Sequence, residues 1–589
     1  MGFSEIRRRP AGASLDLGGL HPVLRRVYAA RGVSRSEELD LSLERLLPVS
    51  SLEGVEAAVR LLSMHRQGRV LVVGDFDADG ATSSALVVRA LRSMKFAHVD
   101  FLVPNRFRFG YGLTPEIVAL AATRQPSLIV TVDNGISSVE GVDAAHALGI
   151  RVLVTDHHLP GAVLPRADAI VNPNLAGSAF ASPALAGVGV AFYVMAALAR
   201  ELGVPEFRAA DLLDLVALGT VADVVALDRN NRILVAQGLR RIRAGRCVPG
   251  IRALLESAGR RLEQLTAADL GFAVAPRLNA AGRLTDMSIG IACLLADDAA
   301  EAAQLAGQLG RLNEERREIE QRMQIEAVDI VAAVSVESGN QPLGLCLFEE
   351  SWHQGVVGLV AGRIKDRLHR PVIAFARAED GLLRGSARSI SGVNIRDALD
   401  SIATRHPGLI AKFGGHAMAA GMTLAEADLG RFRSAFAAEV AARADPETLT
   451  GIVHSDGELE AAELCVATAR VLRSGGPWGQ GFPEPVFDGD FRILGLRVVG
   501  SKHLKLQLEP LASTIASGDV GVSARPGVGM SAANAGARGV DAIAFGYIGG
   551  ATEEAVRPGR QMRVAYRLEV NDYRGAESVQ LNCQHLKLT

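Results

Sequence analysis

The sequence predicts an α/β protein in which a parallel-sheet domain is joined by a long helix to a second, smaller α/β domain and then to an all-β segment. Short apolar runs alternate with helical stretches between residues 69 and 171, which is typical of a mostly parallel sheet covered by helices. Residues 299–332 form the longest uninterrupted helical signal. From residue 450 onward the pattern changes to short alternating strands with glycine-rich turns, as in a small β-barrel or sandwich.

Composition narrows the class of protein. The 589 residues are 48% hydrophobic and 22% charged, as in globular proteins, and the length predicts three or four domains of about 150 residues each. The longest apolar run, Val188 to Ala199, is shorter than the roughly 20 residues that a membrane span needs. The five cysteines are dispersed and contain no C-x-x-C pair, which predicts a reducing compartment, the cytoplasm.

The net charge of −2 gives no support to a nucleic-acid partner, but the local distribution of charge does. From Asp228 to Asp286 there are 11 arginines against 5 acidic residues. Guanidinium groups suit phosphate binding, although such a stretch can equally be the solvated face of a helix. Residues 1–48 look helical and polar, and we predict a small helical extension there.

The first strand of the predicted sheet leads into the central motif of the chain. The strand Arg69–Asp75 ends in the first of three carboxylates, Asp75, Asp77 and Asp79, and a helical stretch follows Gly80. Clustered carboxylates repel one another unless a cation or protons neutralise them, so a divalent metal is the simplest explanation. A calcium-binding EF-hand is excluded, because its twelfth position, which requires glutamate, is a leucine here and a strand precedes the motif. The other alternative is a solvated acidic turn.

Further polar residues follow the later strands of the same sheet. The remaining predicted strands are Val99–Pro104, Leu128–Asp133, Val152–Thr155 and Ala169–Val171. Asp133 ends one of them, Asp156, His157 and His158 follow another, and Asp223 lies near the end of a helix. Ligands bind beyond the carboxyl ends of parallel strands, so we expect these groups to converge. Carboxylates and imidazoles without thiolates favour Mn²⁺ or Mg²⁺, and the number of ligands suffices for two ions.

The motifs resemble those of a known superfamily. DFDADGATS, PNRFRFGYGL, TVDNGI, TDHH and ALGTVADVV are similar to the motifs of the DHH phosphoesterases, and in their particular form to those of the RecJ family of bacterial single-strand-specific 5′→3′ exonucleases. The likeness continues through PRLNAAGR, SWHQGVVGLVAGRI, GSARSISGVNI and FGGHAMAAG, the last being a DHHA1 pattern. PWGQGFPEPVF and GSKHLKLQL resemble the OB-fold of the family.

The resemblance covers the chain from about residue 50 and implies its domain organisation. After the N-terminal helical extension at 1–48, it implies a DHH catalytic domain at 49–298, a long connecting helix at 299–335 and a DHHA1 domain at 336–445. An OB-fold β-barrel follows at 450–589.

The resemblance also implies roles for the metal-site residues. Metal ligands are matched by Asp77, Asp79, Asp133, His157 and Asp223, with Asp133 bridging two ions. His158 is expected to be a further ligand or to hold the scissile phosphate, and Asp75 and Asp156 to orient their neighbours. Some relatives carry a histidine four residues before Asp77, where this chain has Val73, so the first ion is expected to use water or His158 instead.

DNA contacts are implied in all three domains. The matching residues are Arg106, Arg277, Asn279, Arg283, His353, Ser386, Arg388, His416, Trp478, Lys502, His503 and Lys505. Phe482 is a further candidate for base stacking, and His353 and His416 are expected to face the cleft from the second domain. Any single arginine could equally form a surface salt bridge.

The function implied is hydrolysis of single-stranded DNA from the 5′ end to 5′-mononucleotides in DNA repair and recombination, with two Mn²⁺ or Mg²⁺ ions. The strand would pass between the two α/β domains. Single-strand-binding protein and a helicase are the protein partners implied, with no membrane and a monomeric state. Two alternatives are a phosphoesterase that acts on short oligonucleotides or nucleotide bisphosphates, and a DNA-binding scaffold without activity; the C-terminal β segment argues against the first and the complete set of ligand positions against the second.

Overall fold

The computed structural model describes residues 3–10, 12, 19–105, 107, 109–338, 342–445, 447–500, 503–511, 539–547, 556–572 and 577–588. The chain divides into two compact units. The parallel-sheet unit comprises Ser36–Met323 and Gly476–Pro483, and the barrel unit comprises Met1–Arg35, Gln324–Gly475 and Glu484–Thr589.

The N-terminal region differs from the predicted helical extension. Strand β1 (Phe3–Arg8) precedes helix α1 (Pro22–Ala29), three 3₁₀ turns (Ser36–Leu39, Leu43–Arg45 and Val49–Ser51) and helix α2 (Val55–Met64). β1 pairs in parallel with the strand Gly451–Ser455. The prediction was therefore wrong for residues 3–8, because their partner lies about 450 positions later and no local pattern indicates it. Residues 1–48 also do not form one module, since they divide between the units at residue 35.

The parallel-sheet unit contains the predicted five-stranded sheet. Its elements are β2 (Arg69–Gly74), α3 (Ala78–Ser93), β3 (His98–Leu102), α4 (Pro115–Ala122), β4 (Leu128–Val132), α5 (Val139–Ala147), β5 (Arg151–Thr155) and β6 (Ala169–Val171). The strand order is β3-β2-β4-β5-β6, and every pair is parallel. The order reverses between β2 and β4, which is where doubly wound folds bind their ligands.

Helices follow the sheet. They are α6 (Gly187–Leu202), α7 (Leu213–Ala222), α8 (Arg229–Arg243), α9 (Pro249–Ser257), α10 (Ala267–Asp269), a π-helical turn (Leu270–Val274), α11 (Ala275–Leu284), α12 (Ser288–Leu295) and α13 (Ala299–Ser338), with 3₁₀ turns at Ala209–Leu212 and Leu262–Gln264. α3 packs against α6 and α7. The prediction of one long helix from residue 299 is confirmed, and the helix has 40 residues.

The barrel unit has a second, mixed sheet. Its elements are β7 (Leu345–Phe348), α14 (Val357–Leu368), β8 (Val372–Arg377), β9 (Leu382–Arg388), α15 (Ile395–Arg405), β10 (Lys412–Gly415), β11 (Ala419–Ala425) and α16 (Leu429–Arg443). The order is β10-β11-β9-β8-β7, in which only β7 and β8 are parallel. Phe375, Phe432 and Phe436 are fully buried between the sheet and α16.

The C-terminal strands form a barrel rather than a sandwich. β12 (Gly451–Ser455) and α17 (Val466–Ser474) precede β13 (Phe487–Val499), β14 (His503–Pro510), β15 (Val540–Ala544), β16 (Gln561–Asn571) and β17 (Ser578–Leu588), and 3₁₀ turns occur at Glu426–Asp428 and Ala461–Glu463. The barrel closes in the order β13-β14-β15-β17-β16. Strand β17 was not predicted from the sequence. In the described parts of the chain, no helix combines the length and the apolar character that crossing a membrane requires.

Candidate metal centre

The centre begins where β2 ends and α3 starts. Asp75 follows the strand and is 5% exposed. Asp77 is the N-cap of α3, and its Oδ1 accepts a hydrogen bond from the backbone N–H of Gly80 at 3.0 Å. Aspartate is favoured as an N-cap because its carboxylate satisfies an unpaired N–H of the first turn. One oxygen of Asp77 thus orients the side chain, and the other remains available to a ligand.

Asp79 is held by the first residues of α6. Its Oδ2 accepts from the N–H of Gly187 at 2.7 Å, and its Oδ1 accepts from the N–H of Val188 at 3.0 Å. The positive end of a helix favours an anion at this position. Glycine is required nearby, because a Cβ on Gly187 would lie 2.6 Å from Oδ1 of Asp133, and one on Gly219 would lie 2.7 Å from Oδ1 of Asp79. Gly187 and Val188 lie outside the motifs named above, so no sequence signal predicted their contact with Asp79, whereas Gly219 belongs to the ALGTVADVV motif.

Asp133 lies directly after β4 in an unusual backbone conformation. Its φ is +60°, in the left-handed region that aspartate tolerates better than most residues. The N–H of Asp133 donates to the carbonyl of Thr155 at 3.0 Å, and the carbonyl of Asp133 accepts from the hydroxyl of Tyr111 at 3.3 Å. Gly135, with φ +113°, completes the turn. The turn therefore directs a carboxylate that is only 2% exposed into the centre.

Asp156 organises the two histidines that follow β5. Its Oδ1 accepts hydrogen bonds from the backbone N–H groups of His157 (2.7 Å) and His158 (3.1 Å) and lies 2.7 Å from Nδ1 of His158. Its Oδ2 accepts from the N–H of Ile136 at 2.9 Å. The hydroxyl of Tyr111 lies beside the His158 ring, 3.2 Å from Nδ1 and 3.3 Å from Nε2. Tyr111 belongs to the PNRFRFGYGL motif, but its residue type alone did not predict this position.

The predicted ligands converge in three overlapping groups. Within each group, one ligand atom per residue lies within 4.8 Å of the others; the groups are Asp133, His157 and His158; Asp79, His157 and Asp223; and Asp75, Asp77 and Asp133. Nε2 of His157 is 3.1 Å from Oδ1 of Asp133 and 3.5 Å from Oδ2 of Asp223, which is the C-cap of α7. The structure thus brings together all six predicted ligands, and Asp75 with them.

The electrostatics of the centre favour a bound cation. Burial and the neighbouring carboxylates raise the pKa of Asp79 and of Asp133 well above the usual range. Burial and the charge of Asp77 raise the pKa of Asp223 to about 7. Burial opposes charge on His158, but its hydrogen bond to Asp156 and the charge of that carboxylate prevail, and the pKa of His158 rises to about 9. Among the described residues, no arginine or lysine forms an ion pair with Asp77, Asp79, Asp133 or Asp223.

The residues fit a divalent metal. Asp133 Oδ1 is buried and, within the described parts of the chain, accepts no hydrogen bond. A buried acceptor without a hydrogen-bond donor is unfavourable unless a bound ion or another group from outside the chain contacts it. Carboxylate oxygens combined with an imidazole nitrogen are the donor set that Mn²⁺ and Mg²⁺ accept.

The PRLNAAGR motif meets the centre through Asn279, which has a partner within the chain. Its Oδ1 accepts from the N–H of Ala78 at 2.8 Å, so it caps the first residue of α3. Arg277 is half-buried and donates to the carbonyl of Ala273 at 2.6 Å, and burial lowers its pKa. Arg283 lies in the last turn of α11. We infer that Asn279 supports the Asp77 turn, and Arg277 and Arg283 remain candidates for phosphate contacts.

The predicted contacts of the mixed sheet include one compact group. On β9, Nη1 of Arg388 donates to Oγ of Ser386 at 2.9 Å. Both side chains face the first turn of α14, where a Cβ on Gly358 would lie 2.8 Å from Ser386 Oγ and 2.9 Å from Arg388 Nη2. Nδ1 of His353 accepts from the N–H of Gly355 at 3.1 Å, and His416 is exposed in the turn between β10 and β11.

The predicted contacts of the C-terminal segment are partly engaged within the protein. Lys505 pairs with Asp541 at 3.0 Å, and His503 Nδ1 accepts from the N–H of Gly546 at 3.0 Å. Trp478 stacks on Phe482, with ring centroids 5.2 Å apart. Phe482 is only 5% exposed, so its predicted availability to bases is wrong. Two predicted contacts, Arg106 and Lys502, lie outside the described residues.

Family descriptions match three stretches of the chain. Residues 69–220 match the DHH family, N-terminal domain. Residues 331–442 match the DHHA1 domain, and residues 455–517 match the RecJ OB domain.

Relatives match over nearly the whole length. The single-stranded-DNA-specific exonuclease RecJ of Dickeya dadantii (strain 3937) is 52% identical over 597 residues, covering 99% of both chains. The crystal structure of RecJ in complex with Mn²⁺ from Thermus thermophilus is 31% identical, with a TM-score of 0.77, and the match covers 96% of this chain and 76% of that one. The structure of RecJ in complex with Mg²⁺ from the same organism gives 30% identity and a TM-score of 0.72, over 96% and 75% of the two chains.

Proposed function

Because the chain belongs to the RecJ family of single-stranded-DNA-specific exonucleases, we propose that its carboxylate–histidine centre hydrolyses single-stranded DNA from the 5′ end and releases 5′-mononucleotides. The observation that carries the proposal is the convergence of the six predicted ligands, which include the buried Asp133 oxygen that accepts no hydrogen bond within the described parts of the chain. DNA repair and recombination are the processes in which such an activity would act.

The cofactor is Mn²⁺ or Mg²⁺, and the overlapping ligand groups can hold two ions. Asp133 belongs to two of the groups and would be the ligand that two ions share. Asp77, with Asp75 beside it, would hold one ion, and Asp79, His157 and Asp223 would hold the other. When bound, the ions supply Lewis acidity that activates water and stabilises charge on the phosphoryl group. The helix α6 N–H groups keep Asp79 oriented throughout.

His158 has the geometry to hold the scissile phosphate. Its Nδ1 is engaged by Asp156, which fixes the ring. A histidine oriented by a carboxylate can donate its second N–H to an anion. We therefore assign to His158 the non-bridging phosphate oxygen rather than a metal, and the nearby hydroxyl of Tyr111 can support the same contact.

Ser386 and Arg388 form the candidate site for the 5′ phosphate. A hydroxyl, a guanidinium and the first turn of a 12-residue helix lie together there, and each of the three favours a phosphate group. Capture of a terminal phosphate would set the polarity of digestion, since an internal phosphodiester carries less charge.

We propose a monomer in the cytoplasm, with single-strand-binding protein and a helicase as partners that expose the substrate. The five cysteines, Cys247, Cys293, Cys346, Cys465 and Cys583, are all free thiols in the structure, in keeping with a reducing compartment. The barrel supports the same substrate class, because closed barrels of this type bind single strands.

The test is digestion of a single-stranded oligonucleotide labelled at the 5′ or the 3′ end, in Mn²⁺, beside matched duplex. We expect labelled mononucleotide to appear at once from the 5′-labelled strand and only at the end from the 3′-labelled strand. Asp133→Ala should be inactive. The matched control is Asp100→Asn. This substitution removes the charge of an exposed carboxylate on β3 that pairs with Arg124, and the variant should digest the strand at the wild-type rate.

Two results would change the conclusion. If the 3′ label were released first, the assigned polarity and the role of Ser386 and Arg388 would be wrong. If long strands survived while oligomers of two to five residues were consumed, the smaller-substrate phosphoesterase would replace the exonuclease.

A further inference from the structure

The segment Gly476–Pro483, which we call the strap, belongs by sequence to the region preceding the barrel but packs within the parallel-sheet unit. From the sequence, this segment was predicted to belong to the OB-fold domain and to contact DNA. Its neighbours in the structure are the residues that directly follow the candidate ligand Asp223.

The backbone of the strap lies against the loop 223–228, which we call the ligand loop. The N–H of Leu227 donates to the carbonyl of Gln480 at 2.7 Å. A Cβ on Gly479 would lie 2.7 Å from Cδ1 of Leu227, and one on Gly481 would lie 3.2 Å from Cβ of Ala226. Gly481 also has φ +72°. Glycine at these positions allows the two backbones to approach within van der Waals contact.

An aromatic anchor joins the strap to the helix after the ligand loop. The Phe482 ring is 5% exposed, and the guanidinium of Arg232 on α8 lies 4.2 Å from its centroid. Trp478 stacks on Phe482 with an interplanar angle of 11°. A cation over a desolvated aromatic ring is a directional contact, so the strap is fixed to α8 as well as to the loop.

The ligand loop needs such support. Val224, next to Asp223, has φ +62°, a conformation that β-branched residues rarely adopt and that persists only where neighbouring structure enforces it. The rest of the loop is held on its other side, since Nδ2 of Asn231 donates to the carbonyl of Ala226 at 2.9 Å and Asp228 caps α8. The strap hydrogen bond lies four residues after Asp223.

We propose that the strap is a positioning element of the metal centre: Phe482, through Arg232 and the ligand loop, holds Asp223 in the place where it contacts His157. Phe482 is thus a positioning residue rather than a base-stacking one. The inference rests on the proposed function only in taking Asp223 as a metal ligand, and it concerns metal affinity before DNA is bound.

The test compares Phe482→Ala, Phe482→Tyr and wild type as full-length protein. Mn²⁺ binding is measured without DNA by electron paramagnetic resonance of free Mn²⁺, and kcat and KM for a single strand are measured at saturating Mn²⁺. Groups that orient metal ligands typically change metal affinity by about 10- to 100-fold. We expect Phe482→Ala to raise the dissociation constant of the weaker Mn²⁺ site by about tenfold, Phe482→Tyr to retain nearly wild-type affinity, and KM to stay unchanged.

Phe545→Ala is the matched control, because it removes an exposed phenylalanine (53%) from the barrel region without touching the strap; its Mn²⁺ affinity should equal that of wild type. If Phe482→Ala no longer unfolds cooperatively on heating, Phe482→Leu, which keeps most of the buried volume, is used instead. Its Mn²⁺ dissociation constant is compared with that of wild type in the same way. Unchanged Mn²⁺ binding together with a raised KM would overturn the proposal in favour of a DNA surface. A protein without nuclease activity whose Mn²⁺ binding still depended on Phe482 would refute the proposed function and leave this inference intact.

Discussion

Each unit of the molecule buries aspartates, but they are compensated in opposite ways. In the barrel unit, Asp488 is 0% exposed and accepts from Nε and Nη2 of Arg8 at 3.0 and 2.9 Å, and also from Ser455 and Arg563. Asp456 nearby is paired with both terminal nitrogens of Arg31. In the parallel-sheet unit, Asp79 and Asp133 are equally buried, and their described neighbours include carboxylates but no arginine or lysine ion pair.

The pKa directions express this difference. Burial alone would raise the pKa of Asp488, but the hydrogen bonds from Arg8, Ser455 and Arg563 lower it below the usual range. Burial and like charges both raise the pKa of Asp79 and of Asp133. A buried charge requires a partner. The first group, the aspartates of the barrel unit, has arginine partners from the chain itself, whereas the second group, Asp79 and Asp133, requires a cation from outside the chain. We therefore interpret the first group as structural and the second as a metal site.

The comparison is tested most strongly by Asp133→Asn, which removes one charge without changing the volume. We expect the nuclease rate to fall by at least about a thousandfold, since preorganised charge at the reacting group carries much of the catalysis. We also expect the metal-free protein to be no less stable, and to gain roughly 1 kcal/mol if one repulsion worth about one pKa unit is relieved. Digestion rates and urea unfolding in chelator measure the two effects. A large loss of stability would show that Asp133 has an unseen partner within the chain.

The converse change is Asp488→Asn in the barrel unit. Breaking a buried, arginine-bonded carboxylate destabilises proteins by about 3–5 kcal/mol, and we expect the lower end because Arg8 and Arg563 remain partly solvated. Differential scanning calorimetry measures the loss, and Mn²⁺ binding should not change. Asp490→Asn is the control: its side chain is 43% exposed and 3.6 Å from Arg563, so its effect should stay below about 1 kcal/mol.

The smallest expected effect is the pH dependence of stability. Lowering the pH should change the contributions of Asp488 and Asp223 to the free energy of unfolding in opposite directions. The folded-state pKa of Asp488 is lowered, so its stabilisation is present above the unfolded value of about 4 and is lost as the pH falls through the folded value. The folded-state pKa of Asp223 is raised to about 7, so without metal its contribution is present below about 4 and is lost as the pH rises through 7.

Asp223 alone should therefore make the metal-free protein more stable, by roughly 1 kcal/mol, between pH 8 and pH 6. Asp223→Asn should reduce the total gain by that amount and leave the acid limb of the curve unchanged, while the raised pKa values of His158, Asp79 and Asp133 account for the gain that remains. Urea unfolding in chelator across pH 3 to 8 provides the measurement, and a curve that is flat from pH 8 to pH 6 in the wild type would contradict the assignment of Asp223.

The sequence by itself determined the sheet and the composition of the metal centre. Strands buried on both faces are continuous apolar runs, so β2, β4 and β5 could be located almost to the residue. Parallel strands place their carboxyl ends at one edge of a sheet, and the residues that follow those ends must therefore converge. These are local signals combined with one general rule of topology, and they predicted that the acidic residues and histidines after β2, β4 and β5 converge. The family resemblance then implied which of them are ligands, among them Asp77, Asp79, Asp133 and His157.

Only the tertiary structure decided how these ligands are held and which side chains do something other than expected. The N–H groups of Gly187 and Val188, the cap that Asn279 provides to Ala78, and the burial of Phe482 against Arg232 all join residues more than 100 positions apart. The pairing of β1 with β12 spans a still greater distance. Such contacts depend on close packing in three dimensions, where the lack of a Cβ on glycine or the length of an asparagine side chain decides which residues can touch. The periodicity of the sequence carries no information about these contacts.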